Sequence, residues 1–80
     1  MPTPTAAQTL DRYYLEMRWR TLSLAADLDR VGRNEGAAQV NGDPRLNKLR
    51  DAFKVLLSDS PNRAEQVQLI FSDKTPPPQR

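Results

Sequence analysis

Apolar positions in the first third of the chain fall on two opposite stripes of one helix. Leu10, Tyr14, Met17, Thr21, Leu24, Leu28 and Val31 follow alternating four- and three-residue steps. That spacing aligns side chains along one face of an α-helix. On the opposite side, Leu15, Trp19, Leu22 and Ala26 repeat the same rhythm. Charged residues fill the flanks, with Asp11, Arg18 and Asp29 on one side and Arg12, Glu16, Asp27 and Arg30 on the other. The pattern predicts a single helix over residues 5–31. One stripe serves an internal core, and the second needs something else to cover it.

The ends of this helix carry local signals. Thr5 followed by Gln8 fits a capping box, in which hydroxyl and amide each satisfy an orphan backbone N–H. Pro2 and Pro4 keep the preceding segment extended, so residues 1–4 read as a disordered N-terminus. Gly32 and Gly36 read as the stop, with Arg30 and Arg33 placed to complement the helix dipole. Arg12/Glu16, Glu16/Arg20 and Asp29/Arg33 are spaced for ion pairs along the flanks.

Residues 32–43, punctuated by Gly32, Gly36 and Asn41-Gly42, read as an irregular surface connection. Asp43-Pro44 then opens a second helix over 44–57, a capping carboxylate followed by proline at the first helical position. Its apolar stripe is Leu46, Leu49, Phe53 and Leu56, with Leu57 beside it. Ser58 to Pro61 breaks that helix, and Ser60-Pro61 reads as the cap and first position of a third, over 61–72. This last helix is expected to bury Ala64, Val67, Ile70 and Phe71. Residues 74–80, with prolines at 76, 77 and 78, read as a disordered, extended tail.

The fold expected is therefore all-α. It is a small three-helix domain over 5–73, with one long N-terminal helix packed antiparallel to a shorter helix, then a third short helix. Its core is expected around Leu10, Tyr14, Met17, Leu24, Leu28, Leu49, Phe53, Leu56, Val67 and Phe71.

Composition sharpens the question of the second stripe. In a chain of 80 residues, a single core supplies only about 3–5 kcal/mol, and disulfides, a metal or oligomerisation usually supplement it. The sequence has no Cys and no His, so disulfides, thiolate ligands and the commonest metal ligand are all missing. Oligomerisation is the route left.

Charge gives only a mild pointer. The net charge is +2 and the pI about 9.4. Nine of the twelve basic residues are Arg, which favours planar, bidentate contacts. The N-terminus lacks the basic and apolar regions of a signal peptide, and no apolar run approaches the ~20 residues of a membrane span. The expectation is a cytoplasmic protein with no membrane partner.

Catalytic patterns are scarce. No pair of carboxylates sits at metal-ligand spacing, and no loop has the alternating Asp/Asn-Gly pattern of a calcium site. Ser23, Ser58, Ser60 and Ser72 have no His to activate them. There is no Gly-rich phosphate loop. The reading calls for no catalytic residue, no metal, no cofactor and no small-molecule substrate: the chain is not expected to be an enzyme.

Two binding classes remain. Nucleic acid is the second-ranked partner, by way of Arg45, Lys48, Arg50 and Lys54 on the second helix and Asn62, Arg63 and Gln66 at the start of the third. That arrangement loosely resembles a helix-turn-helix. A long second helix, Glu65 beside Arg63 and a small net charge count against it. The first-ranked reading is a protein–protein interaction or oligomerisation module. Its interface is Leu15, Trp19, Leu22 and Ala26 with Arg18 alongside, the composition of a hot spot. A homodimer of antiparallel first helices is its simplest form.

Overall fold

The computed structural model describes residues 3–72 and is helical, with no strand among them. The helices are α1 (Ala6–Arg33), α2 (Ala37–Val40), α3 (Pro44–Leu57) and α4 (Arg63–Phe71). The chain divides into two units, residues 1–37 and 38–80. The expected disorder of residues 1 and 2 and of the 74–80 tail lies outside the described residues. Thr3 and Pro4 are irregular.

The first unit contains α1. Its start follows from Thr5: Oγ1 accepts from the Gln8 backbone N–H at 3.1 Å, and the Thr5 N–H donates to Gln8 Oε1 at 2.9 Å. The expected stop at residue 31 is corrected, because the helix runs through Gly32 to Arg33. Glycine inside a helix costs about 1 kcal/mol relative to alanine but does not forbid the conformation. The left-handed backbone of the exit turn falls instead on Gly36, with φ 86°, where the missing Cβ removes the steric penalty.

Ion pairs on α1 join Arg20 to Glu16 (2.6 Å) and Arg30 to Asp27 (2.7 Å). Glu16 is thereby taken by Arg20 rather than by Arg12. Thr21 Oγ1 donates to the Met17 carbonyl at 2.7 Å.

The core role expected for the Leu10 stripe is not met. Leu10, Tyr14, Met17 and Leu28 are exposed, and only Leu24 is half-buried. The physical reason is that α1 is the only complete helix among the described residues of its unit. A lone helix has no neighbouring element there to enclose either face.

The segment expected to be wholly irregular contains the short helix α2, all but its first residue in the second unit. Its Ala37-Ala38-Gln39-Val40 sequence follows the turn at Gly36, and alanine is the best helix former. Asp43 N–H donates back to the Val40 carbonyl at 2.9 Å. Asp43 then caps α3, its Oδ1 accepting from the Arg45 N–H at 2.8 Å, with Pro44 at the first position. Ser58 ends α3: its N–H (3.0 Å) and its hydroxyl (2.6 Å) both donate to the Val55 carbonyl.

The third expected helix begins two residues late, at Arg63. Ser60 does not cap it, because its hydroxyl donates to Asn62 Oδ1 at 2.9 Å. Ser60 and Pro61 are thus spent on the turn.

Helices α3 and α4 pack against each other. Ala52, 4% exposed, is the one fully enclosed side chain among the described residues. Leu49, Phe53, Val67 and Ile70 are half-buried, whereas Ala64, Leu56 and Phe71, all expected inside, are exposed. A seam between helices of 14 and 9 residues is too narrow to close around a large side chain from every direction.

Candidate interaction surface

The stripe assigned to an interface stands open on α1. Leu15 is 73% exposed, Trp19 67% and Leu22 50%, and Ala26 is half-buried. Arg18 is exposed beside them. Single exposed apolar residues are ordinary, as Leu57 on α3 shows, but three aligned along successive turns of one helix form a contiguous patch. The patch from Leu15 to Ala26 covers about 17 Å of helix at 1.5 Å per residue.

Two charged residues assigned to the flanks continue this stripe. Arg12 lies three residues before Leu15, and Asp29 three after Ala26. The signal was present in the same four-three spacing, and only the polarity of the residues hid it. Neither side chain takes part in an ion pair within the described residues. Arg12 lies over the Tyr13 ring, 5.8 Å from its centroid.

The opposite stripe forms an open hollow lined by Leu10, Tyr14, Met17, Thr21 and Leu22, with Arg18 at its edge. A second open hollow, nearer the start of α1, is lined by Pro4, Gln8, Thr9, Arg12 and Tyr13. Both lack the enclosing walls that a ligand pocket uses to strip water from its occupant. No three His, Cys, Asp or Glu side chains converge on a metal-sized site among the described residues.

The residues considered for nucleic acid all lie in the second unit, and most are engaged locally. Arg45 grips Asp43 through Nε (3.0 Å) and Nη2 (2.9 Å). Those hydrogen bonds, with the backbone bond to Arg45 N–H, lower the Asp43 pKa from 3.8 to about 2 and raise that of Arg45. Arg50 donates to the Asn41 carbonyl (3.1 Å) and Asn47 Oδ1 (3.2 Å). Arg63 donates from Nε and Nη2 to the Ser58 carbonyl, closing the turn between α3 and α4. Gln66 donates to Asn62 Oδ1 (2.7 Å) and to the Ser60 hydroxyl. Arg63 and Gln66 thus bond within the turn between α3 and α4, and Arg45 and Arg50 at the start of α3. Lys54 is exposed and Lys48 half-buried. The two sets of candidate residues therefore lie in different units.

Among the described residues, no helix is long and apolar enough to cross a membrane. Comparison with protein-family models, with curated proteins and with solved structures finds no significant match to this chain.

Proposed function

We propose that this chain is a non-catalytic helical module whose role is association through α1, with a second copy of itself as partner. The observation that carries this reading is the aligned exposure of Leu15, Trp19 and Leu22. Leaving apolar surface in water forfeits about 25 cal/mol for each Å². A two-fold interface uses one patch twice and so covers it without any additional sequence. Trp19 near the middle of the patch, with Arg18 beside it, has the residue types that dominate binding energy at interfaces. In the second unit, the arginines that a nucleic-acid reading requires are bonded to their own chain, so self-association is the better-supported class.

The test is solution mass, by sedimentation or light scattering, for the wild type and for Trp19→Glu. A dimer or larger species that dissociates on substitution supports the reading. A wild type that stays monomeric at high micromolar concentration overturns it.

A further inference from the structure

Resting on that reading, we infer that the partner helix is a second α1 lying antiparallel, in a register that sets Trp19 against Leu22 of the second copy and Leu15 against its Ala26. The same register carries Arg12 opposite the second copy's Asp29 at each end of the seam.

The register follows from positions already described. Antiparallel helices pair residues whose numbers rise on one chain as they fall on the other. Only one alignment matches all four apolar positions: Leu15 with Ala26 and Trp19 with Leu22, each twice by symmetry. It sets a large side chain against a smaller one in every layer, which evens the packing. A parallel alignment instead stacks Trp19 on Trp19 and leaves Ala26 against Ala26, a bulge and a gap in one seam.

Charge selects the same orientation. Continuing the stripe by one step each way reaches Arg12 and Asp29, which meet as opposite charges in the antiparallel register and as like charges in the parallel one. Both are exposed and neither is committed to an ion pair of its own. Of the charges near them, Arg30 pairs with Asp27 and Glu16 with Arg20, whereas Asp11 and Arg33 are in no ion pair among the described residues. Antiparallel helix dipoles add to the preference. The Leu10 stripe has no single best register. Pairing Leu10 with Leu28, Tyr14 with Leu24 and Met17 with Thr21 engages as many positions as pairing Tyr14 with Val31, Met17 with Leu28 and Thr21 with Leu24. The first of these brings Arg18 beside Arg18 and Arg20 beside Arg20.

The absence of cysteine makes orientation directly readable. Leu15→Cys and Ala26→Cys each introduce a single thiol in the outer layer and leave Trp19 and Leu22 in place. Each variant is oxidised alone and then mixed with the other, with helicity checked by circular dichroism. The expected result is a disulfide-linked dimer in the mixture and none from either variant alone. In parallel, Arg12→Glu and Asp29→Arg should each weaken dimerisation by about tenfold, and the double variant should return to within about twofold of wild type. A wild type that is monomeric by sedimentation overturns both this inference and the functional reading beneath it. A dimer in which Leu15→Cys crosslinks to itself retains self-association and overturns the antiparallel register. A dimer that crosslinks in no arm overturns the choice of face.

Discussion

Truncating Trp19 to alanine is the perturbation whose size can be worked from the structure. With 67% of its surface exposed, Trp19 presents on the order of 150 Å² to a partner. At about 25 cal/mol per Å², and allowing for the surface alanine still covers, the loss is roughly 2–3 kcal/mol per copy. A two-fold seam contains the residue twice, so the dimer loses about 4–6 kcal/mol, which raises Kd by roughly three to four orders of magnitude. Sedimentation equilibrium over a concentration series measures this for wild type and Trp19→Ala. The wild type supplies an independent readout, because Trp19 is the only tryptophan in the chain. Its emission should shift to shorter wavelength as concentration rises, with a midpoint that matches the sedimentation Kd. A Trp19→Ala protein whose Kd stays within tenfold of wild type would refute the reasoning. So would emission that does not change across the range where mass increases.

Two further outcomes concern the second unit. Ala52→Leu adds bulk at the one enclosed position of the described residues and should destabilise the α3–α4 pair by about 1–3 kcal/mol; urea unfolding followed by circular dichroism checks this, and an unchanged midpoint means the position is looser than described. For Asp43, the native pKa of about 2 lies below the ordinary 3.8. Its contribution to stability is therefore present above pH 4 and lost as pH falls toward 2. Thermal midpoints recorded across that window should decline less for Asp43→Asn, and added salt should shrink the difference because the pair is exposed.

Helix starts were legible where one side chain acts on one nearby backbone group. Thr5 with Gln8 and Asp43 with Pro44 are complete instructions, and the structure uses both. Ser60-Pro61 looked equally complete but failed because Asn62, two residues on, takes the serine hydroxyl. Gly32 and Gly36 were indistinguishable by type, and only Gly36 sits at positive φ. Burial was least legible. The spacing of Leu10, Tyr14 and Met17 placed them correctly on one face, but spacing cannot say whether another element covers that face. For the same reason Leu56 and Phe71 were placed inside, while Ala52, too small to stand out in a stripe of leucines, was passed over. Arg12 and Asp29 keep the four-three spacing of the Leu15 stripe, but their charge reads as a solvated flank.

The enclosure of Ala52 alone among the described residues bears on what a melting temperature would mean for this protein. Where the described residues enclose so little apolar surface, anything that binds the native form as proposed adds directly to its resistance to unfolding. Such a ligand contributes RT ln(1 + [L]/Kd), about 2.7 kcal/mol at a hundredfold excess over Kd. Where the ligand is the same polypeptide, that quantity rises with the amount of protein present. Dilution alone then lowers the transition temperature, and a dilute sample unfolds where a concentrated one holds. Stability becomes a property of the solution, set by copy number as much as by sequence.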